Sequence, residues 1–134
     1  MIVADANTIA YLMMEGIFTP LARQAYDRDP VWLAPPLWRA EFLNVLVTST
    51  RAGVIHERQA RAVWLRALQT VTTRDEPSGP TVLHVALRNR ISAHDAQYVV
   101  LAKMLKTIVV TGDRGLAERC PDVAVPLEDF TAGG

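Results

Sequence analysis

Two short apolar runs constrain the fold more than any other part of the chain. Ile2-Val3-Ala4 and Ile108-Val109-Val110 lack the apolar/polar alternation of a half-exposed strand. Unbroken runs of this kind suit strands covered on both faces, the usual situation in a parallel sheet coated by crossover helices. Each run leads to a carboxylate. Asp5 follows the first directly, and Asp113 follows the second in Thr111-Gly112-Asp113-Arg114-Gly115. Open α/β sheets form their sites outside the carboxyl ends of the strands. An Asp placed after a buried strand makes no evident cap or turn, so Asp5 points to chemistry.

The remaining residues supply the crossovers. Helical spacing covers 8–15, with Asn7 or Thr8 as the N-cap and Gly16 as the stop. A second helix covers 18–29, with Pro20 tolerated in its first turn. Val31-Trp32-Leu33-Ala34 is an apolar run bounded by prolines and reads as a strand. The longest helix runs from Leu37 to Ala52, and another spans 55–68. Thr70-Val71-Thr72-Thr73 is β-branched and suits an edge strand. Residues 76–80 are turn chemistry, and 81–90 form a further helix. Ser92-Ala93-His94-Asp95 opens a largely apolar helix to Leu105. A strand over 107–111, a short helix over 116–119 and a last strand over 123–125 follow, and the tail reads as loose. Strands alternating with helices imply parallel βαβ units, with the sheet covered on both faces, in a single α/β domain over 1–134.

Composition narrows the function. Fourteen basic residues balance 14 acidic ones, which argues against a strongly basic nucleic-acid binder while allowing a local basic patch. The one cysteine, Cys120, has no internal partner and suits a reducing compartment. No secretory leader pattern and no apolar run of ~20 residues is present, so a soluble, cytoplasmic protein without membrane contact is expected.

Asp5 and Asp113 fall at one rim of a parallel sheet. On neighbouring strands they would face each other across ~4.8 Å. Glu41, near the start of the helix after the second strand, falls near the same rim. Glu41 and Asn44, three residues apart, share a helix face. Asp95 opens the helix that leads into the 107–111 strand, although spacing alone leaves its rim open. Asp95 also fits a capping box with Ser92, and Asp113 also fits a turn. Four crowded carboxylates raise the pKa of at least one member unless a cation compensates. Hard oxygen ligands suit Mg²⁺ or Mn²⁺, and the lack of a Cys/His cluster argues against zinc. Such ions activate water for phosphodiester cleavage, which points to a nuclease.

With these residues in view, the chain resembles the PIN-domain ribonucleases, specifically the VapC-type toxins of toxin–antitoxin pairs. The resemblance is carried by Val3-Ala4-Asp5-Ala6-Asn7, Leu33-Ala34-Pro35 leading to Glu41-x-x-Asn44, Ser92-x-x-Asp95-Ala96-x-Tyr98-x-x-Leu101-Ala102, and Thr111-Gly112-Asp113-x-x-Leu116. It implies a three-layer α/β/α sandwich around a short, mostly parallel sheet, with Asp5, Glu41, Asp95 and Asp113 as catalytic, metal-holding acids. It further implies Mg²⁺- or Mn²⁺-dependent endoribonuclease activity on structured RNA such as tRNA or rRNA, a small antitoxin as partner, and a homodimer or toxin–antitoxin hetero-oligomer. Hydrolysis by a metal-activated water would leave a 5′-phosphate and a 3′-hydroxyl. Asn7, Asn44 and Thr111 are candidates for orienting the acids through hydrogen bonds. Arg114, beside Asp113, is the leading RNA-contact candidate. Leu12, Met13, Ile17 and Phe18 form an apolar stripe that serves either the core or an antitoxin groove. Two alternatives stand. One is another acidic-site phosphotransfer enzyme, such as a phosphatase or receiver domain, but Asn7 stands where a second Asp would be needed and no Lys follows the 107–111 strand. The other is a non-catalytic PIN-like binding module.

Overall fold

The computed structural model describes residues 1–133. Five short strands form one sheet in which every pairing is parallel. The strands are β1 (Ile2–Ala4), β2 (Trp32–Ala34), β3 (Val71–Thr73), β4 (Val109–Thr111) and β5 (Ala124–Pro126). Their order is β3-β2-β1-β4-β5, so β1 is central. β1, β2 and β4 are buried at every residue, as their unbroken apolar sequences require. β3 lies at one edge and shows only Val71 buried.

The crossovers form the outer layers of an α/β/α sandwich. From β1 to β2 to β3 the chain steps one way across the sheet. From β3 to β4 to β5 it steps back the other way. Right-handed crossovers in opposite directions fall on opposite faces. The first group is α1 (Ala6–Met13), α2 (Thr19–Arg28), α3 (Leu37–Arg51) and α4 (Glu57–Thr70). Here α1 packs against α2, α3 and α4. The second group begins with α5 (Gly79–Asn89) and α6 (Ala93–Met104), which pair with each other while α6 covers β1 and β4. The short α7 (Arg114–Arg119) links β4 to β5.

Aromatic packing fixes how α3 is turned. Trp38 and Phe42 are fully buried one turn apart, with Trp64 of α4 stacked on Phe42. The Trp38 indole N–H donates to Thr73 Oγ1 at 2.8 Å, so this ring belongs to the core. With these rings inward, Glu41 stands at the flank of the buried stripe.

The chain end departs from the expectation of a loose tail. Residues Leu127–Ala132 form α8, which packs on α2. The Arg28 guanidinium donates to Phe130 O at 2.9 Å and lies over the Phe130 ring. Those partners are about a hundred residues apart, so local composition carries no trace of them. The apolar stripe of α1 is divided. Leu12 and Met13 are partly buried beside a hollow between α1, α2 and α4, whereas Ile17 is 87% exposed. Among the described residues no helix is long and apolar enough to cross a membrane.

Candidate active site

The sheet order reverses beside β1, because β2 lies on one side of it and β4 on the other. Such a switch point opens a crevice at the carboxyl ends of the strands. A cleft of about 580 Å³ is found there, and its lining includes Asp5, Glu41, Asp95 and Asp113. Asn7, Asn44, His94 and Tyr98 share the lining. The connection from α6 to β4 explains how Asp95 reaches this rim. That helix returns the chain to the amino end of β4, so its own N-terminus must start at the carboxyl end.

Asp5 is buried and is itself the N-cap of α1. The expectation of a cap at Asn7 or Thr8 is corrected here: the helix begins at Ala6, directly after the strand. Asp5 Oδ1 accepts from the Thr8 backbone N–H at 2.9 Å and from Thr8 Oγ1 at 2.7 Å. Oδ2 accepts from Thr111 Oγ1 at 2.5 Å. The residue facing Asp5 from the next strand is therefore Thr111. Asp113 lies two residues further on and caps α7, accepting from Gly115 N–H at 2.8 Å. Thr111 ties the two acids together, because its Oγ1 also accepts from the Asp113 backbone N–H at 2.9 Å. Asp95 lines the cleft from the first turn of α6. Ser92 caps α6, its Oγ accepting from the Asp95 N–H at 3.0 Å.

The electrostatics follow this crowding. Burial pushes the Asp5 carboxyl above the usual Asp range, hydrogen bonds from Thr111 and Thr8 pull it back, and Asp95 pushes it up again. Asp95 is raised by burial and then by repulsion from Asp113, with smaller relief from Ser92 and His94. The three aspartates thus form a chain of mutually repelling groups. Glu41 is held differently, accepting from Tyr98 Oη at 2.5 Å on Oε1. Burial, followed by the bond to Glu41, drives the Tyr98 phenol far above its ordinary value, so it remains a donor at any working pH.

A family model described as the PIN domain matches residues 2–120. The chain belongs to the PIN-domain family. It is 29% identical over 117 residues to Ribonuclease VapC1 of Mycobacterium tuberculosis, in strains CDC 1551 / Oshkosh and ATCC 25618 / H37Rv alike. The match covers 86% of this chain and 87% of each of those proteins. The crystal structure of PAE2754 from Pyrobaculum aerophilum has the same fold, with a TM-score of 0.78 at 20% identity, over 98% of this chain and 86% of that one. The resemblance seen in the sequence motifs is borne out at the level of family and fold.

In this PIN domain the hydrogen-bond partners of the acids differ in part from those expected. Thr111 does bond an acid. Asn7 and Asn44 line the cleft, yet neither bonds a carboxylate among the described residues. The hydroxyls that bond Asp5 and Glu41 are instead those of Thr8, beside Thr111, and of Tyr98. Thr8 was detectable, because an Asp N-cap with a hydroxyl three residues on is a capping pattern. Tyr98 gave less signal, since in an apolar helix it reads as core. Arg114 is ion-paired with Glu128 of α8 and lines a separate hollow shared with Pro121 and Asp129. Gly112 serves close packing: a Cβ there would lie 2.7 Å from Tyr11 Cε2. Tyr11 is thereby held beside the acids, and burial, then Asp5 and Asp113, raise its phenol.

Among the described residues no three Asp, Glu, His or Cys side chains converge tightly enough to hold a metal ion by themselves. The donor set is nevertheless all hard oxygen, and repulsion within it calls for positive charge. Mg²⁺ suits an open arrangement of this sort, since it binds through one or two carboxylates and keeps several waters. Thr111→Val tests how the acids are held. The change keeps the side-chain shape but leaves Asp5 Oδ2 and the Asp113 N–H without their partner. Urea unfolding should show a loss of about 1–3 kcal/mol, and a neutral result would mean that water replaces the hydroxyl.

Proposed function

We propose that this PIN domain is a divalent-metal-dependent endoribonuclease and acts as the toxin of a toxin–antitoxin pair. The observation that carries the reading is the convergence of Asp5, Glu41, Asp95 and Asp113 on one cleft at the strand switch point. The similarity to Ribonuclease VapC1 supports a ribonuclease, and it supports RNA as the substrate class and a small antitoxin as the partner. Structured RNA such as tRNA or rRNA, a homodimer or toxin–antitoxin assembly, and a cytoplasmic location complete the proposal.

In this mechanism Asp5, Asp95 and Asp113, with Glu41, would hold Mg²⁺ or Mn²⁺. A bound cation supplies Lewis acidity that activates water and offsets charge on the departing oxygen. The chain's own residues set the geometry. Asp5 is held rigid by Thr8 and Thr111, and Glu41 by Tyr98, so two acids cannot swing away when substrate enters. Asp95 and Asp113 face each other closely enough to repel, and their charge repels a phosphate as well until it is neutralised. Metal-free protein should therefore bind RNA weakly and cut none. The test uses partner-free protein and total RNA, with Mg²⁺ or Mn²⁺ against EDTA. Metal-dependent cuts bearing 5′-phosphate ends support the proposal, while equal cleavage in EDTA, or none with either metal, overturns it. The second outcome would favour a non-catalytic binding module.

A further inference from the structure

We infer that Tyr98 is a positioning residue for Glu41, its hydroxyl fixing which carboxylate oxygen the cleft receives. The inference rests on the nuclease reading above and deepens it. Glu41 is long, flexible and 29% exposed at its side chain. Ordering such a side chain costs rotamer entropy. Its own helix offers no observed donor to hold it. Leu37, Ala40 and Val45 nearby are apolar, and Asn44 does not bond it among the described residues. Among the described residues the one hydrogen bond to its carboxylate comes from Tyr98, 57 residues later in the chain.

Tyr98 suits this role because it cannot move. It is 1% exposed, in a helix that is buried at Ala96 and from Val99 to Ala102. The position of its Oη is thus set by the packing of α6 on β1 and β4. The hydroxyl therefore joins α3 and α6, the two helices that bring Glu41 and Asp95 to the cleft. Its O–H engages Oε1 of Glu41, while Oε2 points to the side where His94 Nδ1 lies 4.0 Å away. Glu41 should then offer a single oxygen, Oε2, to a cation. Without the hydroxyl both oxygens can rotate toward water, and the acid leaves the set.

The alternative is a buried Tyr–Glu pair that serves stability alone. Tyr98→Phe separates the two, using Mn²⁺ alone as probe and electron paramagnetic resonance to count free ion. A positioning role predicts Mn²⁺ affinity roughly 10-fold weaker, the lower end of the effect of groups that orient metal ligands. It also predicts a fall in kcat with little change in KM for RNA. In a Glu41→Gln background the same substitution should change Mn²⁺ affinity no further. Circular dichroism confirms that the fraction measured is folded, and low temperature keeps it so if stability drops. Wild-type Mn²⁺ affinity in Tyr98→Phe overturns the inference, as does a further loss in the Glu41→Gln background. If the wild type itself binds no Mn²⁺ and cuts no RNA, the nuclease reading fails first and the role of Tyr98 falls with it.

Discussion

Asp5→Asn should reduce RNA cleavage by roughly 10²–10³-fold, the scale seen when one preorganised electrostatic group is removed from a site. The loss should come without unfolding. Asn caps helices about as well as Asp, so the Thr8 N–H that now donates to Oδ1 keeps an acceptor. The new amide would meet Thr111 Oγ1, a hydroxyl that can rotate to accept instead of donate. Only the charge is removed from the centre of the rim. Rates on total RNA, read beside urea unfolding curves and growth inhibition on expression, test this. Wild-type cleavage by a folded Asp5→Asn protein would remove the metal-holding role from this residue, and with it the central claim about the cleft.

Metal should also change stability, and the change should depend on pH. Asp5 and Asp95 both have raised pKa values in the folded chain, through burial first and repulsion by neighbouring aspartates after it. The folded state thus keeps these protons to higher pH than the unfolded state does. Their contribution is fully present below the ordinary Asp value of about 3.9, and it is lost as pH rises through the raised folded values. At neutral pH the metal-free site therefore works against folding. A cation that binds the ionised acids reverses this. At a hundredfold excess over its Kd it adds about 2.7 kcal/mol, which for a chain of this size is roughly 10 °C in Tm. Thermal melts should show that gain with Mn²⁺ at pH 7.5 and little of it at pH 4. Asp95→Asn should raise the Tm of the metal-free protein at pH 7.5 and remove most of the Mn²⁺ response. A Tm indifferent to Mn²⁺ at pH 7.5, or an Asp95→Asn protein less stable than the wild type without metal, would refute the linkage.

Much of this protein is legible in its amino-acid sequence. The unbroken apolar runs at β1 and β4 can be satisfied only by cover on both faces, which makes the sheet parallel and interior. Gly and Pro set the helix limits to within a few residues, because backbone conformation is a local property. The order of the acids along the chain followed too, since βα connections return repeatedly to one rim. Reading failed where partners are remote. The α8 helix depends on Arg28 reaching Phe130, and Arg114 is drawn to Glu128. Asp5 caps α1 because that helix begins at Ala6, two residues before the start that helical spacing predicts.

The acidic residues themselves, and the parallel sheet whose rim gathers them, were determined by sequence alone, through apolar periodicity and strand–helix alternation. Their mutual arrangement was decided only in three dimensions. Which residue opposes Asp5 depends on the register of β1 with β4, and the answer is Thr111. Whether Asp95 reaches the rim depends on the direction of α6. Whether Glu41 turns inward depends on the rotation of α3 about the buried Trp38 and Phe42, and on a phenol 57 residues away. Register, direction and rotation are set by packing among distant elements, and a distance along the chain carries none of them.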